Sequence, residues 1–184
     1  MKLGVNLILL TGCPKVLTHA AERKRAPGET KLGPPAPRRL GGVPGLKRTV
    51  TIAGPPERVW SVVVDVDGWP ERVPTVTSVE RLDEGPLVVG SRTRLQQPRL
   101  PTAVWTVTEL TPGRSFTWES SSPGVTVTAS HVVEPHPEGA QLTLAVDVSG
   151  PLSRMGWLMT RSLTEQYVET EASCMKRAAE APAG

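Results

Sequence analysis

Cysteine and histidine are scarce in this 184-residue chain, and tryptophan apart, so are aromatics, with one Phe and one Tyr. The two cysteines, Cys13 and Cys174, lie near opposite ends and give neither a disulfide framework nor metal-ligand spacing. His19, His131 and His136 form no cluster with them, so neither a metal nor a cofactor is expected. No apolar run approaches the roughly 18 residues of a membrane-spanning helix, and no transmembrane segment is expected. A phosphate loop, a zinc-binding pair and a nucleophile elbow are missing too. What is left is one domain, long enough to bury a core without disulfides or metals.

Basic charge is missing where nucleic-acid binding would need it. Residues 1–46 hold eight Lys and Arg against two Glu, or +6, so the rest of this +3 chain carries −3. A phosphate backbone requires cations on a structured face, and here they sit on a tail, which argues against a nucleic-acid partner. That tail has six prolines and seven glycines and no periodicity after Leu17, so residues 1–46 are expected to be a disordered extension. Leu10-Thr11-Gly12-Cys13 is similar to the lipobox of bacterial lipoproteins, behind Lys2 and the short apolar run Leu3–Leu10. That resemblance implies a lipid anchor on Cys13. The expectation adopted is instead a cytoplasmic protein whose extension carries no fold, or whose start codon is assigned too early.

From residue 47 to 181 the chain is patterned. Arg48–Ala53 alternates as a strand, and Pro55-Pro56-Glu57 opens a helix that runs to about Asp65, despite Val62-Val63-Val64. Asp67-Gly68-Trp69-Pro70 stops it. Six alternating stretches follow at about 75–82, 87–96, 103–110, 115–120, 125–134 and 141–148, separated by Pro- and Gly-rich turns. The short links imply an antiparallel meander, and Ser149-Gly150-Pro151 launches a long amphipathic helix over Leu152–Glu180. This is an α+β plan in which one helix closes over a sheet, with a cavity between them.

Strand phase selects the cavity-facing side chains. Trp105 with Val107, Phe116 with Trp118, and Val125, Val127, Ala129, His131 and Val133 each share a face, and Leu144 sits among Leu142, Val146 and Val148. In 87–96, Val89, Thr93 and Leu95 point inward, which leaves Arg92, Arg94 and Gln96 outward. On the helix, Leu152, Met155, Met159, Leu163, Tyr167, Thr170, Cys174 and Ala178 make the inner stripe, with Met155 and Met159 at the mouth.

These residues carry a family resemblance. Ile52 to Trp60, Asp67-Gly68-Trp69-Pro70, Trp105 to Leu110, Phe116-Thr117-Trp118, His131 to Pro135 and Ser149 to Leu152 resemble the SRPBCC or START-like superfamily, in its polyketide cyclase/dehydrase and lipid transport branch. The resemblance covers about 47–181 and implies a helix-grip domain. It also implies binding or transport of a small hydrophobic ligand, lipid-like or aromatic, in an internal site. The expected lining is Trp105, Val107, Phe116, Trp118, Ala129, His131, Leu144, Met155, Met159, Leu163 and Tyr167. An alternative is a cyclase or dehydratase with His131 as acid/base and Tyr167 orienting a carbonyl; another is a protein-interaction module. Binding is favoured over chemistry, because no carboxylate sits at a fixed spacing to orient His131.

Overall fold

The computed structural model describes residues 43–182. The lipobox-like stretch with Cys13 and most of the expected extension lie outside them. Gly45 and Leu46, assigned to the extension from sequence, instead open the first strand.

Seven strands form one antiparallel sheet: β1 (Gly45–Ile52), β2 (Ser78–Arg81), β3 (Arg92–Gln96), β4 (Ala103–Thr111), β5 (Ser115–Ser122), β6 (Val125–His136) and β7 (Gly139–Ser149). Their spatial order is β1-β7-β6-β5-β4-β3-β2, so only β1 leaves the sequential meander. Helices α1 (Pro56–Val64) and α2 (Trp69–Arg72) lie between β1 and β2, and α3 (Ser153–Glu180) follows β7. This is the helix-grip α+β architecture. Valines 62–64 stay helical because Val59 and Val63 are fully buried, and that burial outweighs the strand preference of β-branched side chains.

The strand read over 87–96 is shortened at its front. Val88 to Ser91 form a turn, in which the Ser91 amide donates to the Val88 carbonyl at 3.0 Å and the Ser91 hydroxyl accepts from the Val88 amide at 3.0 Å. Gly90 at φ 92° breaks the extended backbone. Val89, expected inward, is therefore 60% exposed. From Arg92 the alternation holds, with Thr93 and Leu95 buried and Arg92, Arg94 and Gln96 exposed.

Helix α3 begins at a close crossing. Gly150 has φ 102°, and a Cβ there would lie 2.6 Å from the Gly124 carbonyl oxygen, so the β5–β6 turn and the launch of the helix fit only around glycine. The Leu152 amide donates to the same carbonyl at 2.9 Å. The second half of α3 is clamped to β1: Arg48 pairs with Glu169, Lys176 donates to the Thr51 carbonyl, and the Glu180 carboxylate accepts from the Ala53 amide. Its buried residues are Tyr167, Val168, Ala172, Cys174, Met175 and Ala179. The inner stripe is thus turned about one residue from the expected one, and Thr170 and Ala178 are only half-buried. The reason is that α3 packs toward β1, β7 and α1 rather than squarely over the sheet. Its first half is largely uncovered, with Leu158 82% and Met159 80% exposed.

Two outcomes follow for stability. Met175→Ala should cost about 2–5 kcal/mol, whereas Met159→Ala should stay within about 0.5 kcal/mol of the parent, both read by urea denaturation. The Glu180 carboxyl is held below its ordinary range, first by its hydrogen bond from Lys176 and then by the Ala53 amide. A lowered folded-state value stabilises the protein above the unfolded value and loses that contribution as pH falls through the folded one. Glu180→Gln should therefore narrow the stability difference between neutral and acidic solution; an unchanged acid-unfolding profile would count against the clamp.

Candidate functional site

Register across the sheet assembles the site. Val107, Trp118, Ala129 and Val146 are successive cross-strand partners on β4 to β7. The neighbouring row runs Leu110, Phe116, His131, Leu144 over the same strands and ends on Arg48 of β1. A β-bulge between Val107 and Glu109 lets both rows face α3 although β4 and β5 are out of step there. On the far side of Trp105, β3 contributes Thr93 as its direct partner.

The large side chains of these rows pack on one another. Trp105 and Trp118 have ring centroids 5.2 Å apart, and Trp118 meets Phe116 edge-on at 5.4 Å. Trp69, delivered by α2, closes the group from the helix side, 5.4 Å from Trp118 and 5.5 Å from His131. The His131 imidazole stacks on Phe116 at 4.3 Å and 10°. The residues expected to line an open cavity thus form a connected aromatic cluster, with Trp105 half-buried at its margin.

Helix α3 adds a residue that sequence reasoning missed. Glu171 Oε1 lies 2.8 Å from His131 Nε2, and the two side chains are 16% and 4% exposed. The expectation that His131 lacks an orienting carboxylate is therefore overturned. Glu171 stands four residues after Tyr167 and three before Cys174, at helical spacing from both yet outside the expected stripe. A carboxylate on a buried face breaks the amphipathic pattern, and its partner is 40 residues away. No local spacing joins them.

Four polar atoms in this cluster are buried without a partner among the described residues: Trp69 Nε1, Trp105 Nε1, Thr93 Oγ1 and His131 Nδ1. Two are donors, the hydroxyl can do either, and the imidazole nitrogen depends on the tautomer.

The remaining expected site residues divide. Val107, Phe116, Trp118, Ala129, His131 and Leu144 are buried together. Tyr167 is buried as well, but its hydroxyl donates to the Pro98 carbonyl and ties the β3–β4 loop to the helix, so it is not free to orient a substrate carbonyl. Leu163 is half-buried. Met155 and Met159, expected at the mouth, are 57% and 80% exposed, because the rotation of α3 carries them to its outer side. Among the described residues no group of three or more His, Cys, Asp or Glu could hold a metal ion, and no helix is long and apolar enough to cross a membrane. An open depression of about 480 Å³ lies apart from the cluster, lined by Asp67 and the run Arg81 to Gly85.

The family model described as polyketide cyclase / dehydrase and lipid transport matches residues 45–180. Solved structures share the fold. The Zhui aromatase/cyclase from Streptomyces sp. R1128 is 22% identical, with a TM-score of 0.63 over 75% of this chain and 94% of its own. A START superfamily protein from Mycobacterium smegmatis is 18% identical, with a TM-score of 0.59 over 76% and 98%. The di-domain aromatase/cyclase StfQ of the steffimycin biosynthetic pathway is 17% identical at a TM-score of 0.61, and this chain spans 51% of it. At these identities the likeness concerns the fold alone. No curated protein matches the chain in sequence.

The buried pair has an energetic signature. His131→Phe leaves the Glu171 carboxylate nearly buried without its partner and should cost about 3–5 kcal/mol. Glu171→Leu leaves only an unpaired ring N–H and should cost about 1–3 kcal/mol. The double variant should cost clearly less than the sum; additive losses in denaturant titrations would mean that the two groups do not interact.

Proposed function

Because the chain belongs to the polyketide cyclase/dehydrase and lipid transport family, we propose that its domain binds a small, flat, largely apolar molecule, aromatic or polyketide-like, between α3 and the concave face of β3 to β6. The observation that carries this reading is the set of unpartnered polar atoms inside the aromatic cluster. Buried polar groups are nearly always hydrogen-bonded, and each one left unpaired costs about 1–3 kcal/mol. Four around a single group of rings are a poor design for a core. They suit a site whose guest brings its own oxygen atoms. The rings give such a guest flat surfaces to stack on, and the indole N–H groups of Trp69 and Trp105 can each meet a carbonyl.

Half-burial of Trp105 and Leu163 fits an approach between the first half of α3 and the β3–β4 edge of the sheet. That half of the helix is held at the β5–β6 turn and leaves Met155, Leu158 and Met159 exposed. A cytoplasmic location accords with this reading, since Cys174 is a buried free thiol and the domain needs no disulfide.

A second reading is favoured by one observation, the carboxylate on His131. An imidazole oriented by a carboxylate is the usual arrangement for general acid/base work, and it would serve a cyclase or dehydratase acting on a poly-β-ketone. In that reading His131 removes a proton from a carbon flanked by carbonyls and returns one to the departing hydroxyl.

Tryptophan fluorescence titration and native mass spectrometry with 2-naphthol test the binding reading. Saturable quenching is expected, weakened about tenfold by Trp105→Ala, in line with loss of one stacking partner. If no naphthalene-sized aromatic binds, the reading fails. Turnover of a linear poly-β-ketone that is unaffected by His131→Phe would dispose of the second one.

A further inference from the structure

We infer that Glu171 holds His131 as its Nε2–H tautomer, so that Nδ1 is an acceptor site built for the hydroxyl of a phenol or enol. The inference rests on the proposed binding site and names the chemistry its guest must present. Nothing about it depends on a resident metal or cofactor.

A neutral imidazole carries one hydrogen, and whichever nitrogen lacks it is an acceptor. An ionised carboxylate has no hydrogen to give, so at 2.8 Å Glu171 Oε1 must accept, and the hydrogen is on Nε2. With the ring neutral, the lone pair is then on Nδ1. That atom is buried and has no partner among the described residues, on a side chain that is 4% exposed. The ring is also prevented from turning to find one. Phe116 stacks on its face, Trp69 is tilted against it at 5.5 Å, and Trp118 meets it edge-on at 5.9 Å. Phe116 has no donor to offer, and the indole N–H of Trp69, itself unpaired, does not reach Nδ1.

Swapping the tautomer would not help the protein. It would put a lone pair against the carboxylate and leave an N–H unpaired among the rings, which is worse on both counts. The arrangement therefore selects guests: a hydroxyl attached to a flat ring or to an enol gains a hydrogen bond, while an ether or a plain hydrocarbon of the same shape leaves Nδ1 unsatisfied. Glu171 touches no guest in this scheme. It is a positioning residue.

The test uses the full chain with ¹⁵N-labelled histidine. Two-bond ¹H–¹⁵N spectra at neutral pH should show His131, identified by its loss in His131→Phe, with a protonated Nε2 and a bare Nδ1. A proton on Nδ1 would overturn the inference while leaving the binding reading intact. In parallel, 2-naphthol and 2-methoxynaphthalene are titrated against wild type and Glu171→Gln. The wild type should prefer the naphthol by about tenfold, the usual worth of one net hydrogen bond. Glutamine can offer Nε2 either its carbonyl oxygen or its amide hydrogens, so the ring is no longer confined to one tautomer. Glu171→Gln should mix the two ring signals and erase most of the preference, with methoxynaphthalene affinity unchanged. A merely structural Glu171 would instead weaken both ligands equally, and that result overturns the inference. Equal binding of the two naphthalenes by the wild type overturns it too, whereas failure of both to bind removes the binding reading itself.

Discussion

One helix cannot cover seven strands. Neighbouring strands lie about 4.8 Å apart, so a seven-stranded sheet is on the order of 29 Å wide, while a helix with its side chains spans about 10–12 Å. Helix α3 resolves the mismatch by choosing one side. Its second half beds against β1, β7 and α1, and the rest of the concave face must be closed by something else. Large rings do it. Trp105, Trp118 and Phe116 come up from the sheet, and Trp69 comes down from α2. Three of the five tryptophans serve that span.

The same constraint explains the two kinds of apolar surface on α3. Where the helix is clamped, Val168, Ala172, Met175 and Ala179 are buried, and small residues bring its backbone close to the sheet. Where it leaves the clamp, Leu158 and Met159 are uncovered. The first half is anchored chiefly at the crossing of Gly150 and Gly124.

Local pattern carried most of this architecture. Alternation alone put His131, Ala129, Phe116 and Trp118 on the inner face, and turn residues separated the strands, because both signals are written within a few positions of each other. The failures have a common cause in longer range. Val88 and Val89 alternate like strand residues, yet Gly90 and the Ser91 hydroxyl fold them into a turn. The phase of α3 was off by about one residue because the direction from which a helix is packed is not in its own sequence. That small error hid Glu171. A buried carboxylate reads as a mistake in an amphipathic stripe until its partner, on a strand 40 residues earlier, is known.

Glu171 also changes what separates a binding protein from an enzyme on this scaffold. An unoriented histidine inside a core can be dismissed as packing; one whose hydrogen is assigned by a carboxylate has a defined acceptor on its other nitrogen. Both readings of the domain use that acceptor. Binding requires only that Nδ1 receive a hydrogen bond from the guest and let it go. Chemistry requires that the proton cross, that the imidazolium so formed be stabilised by Glu171, and that a carbon acid lie within hydrogen-bond reach. The buried pair supplies the carboxylate that the second condition needs. The other two belong to the guest and to how it is seated against Nδ1, so the two readings of this domain part on the placement of a substrate carbon.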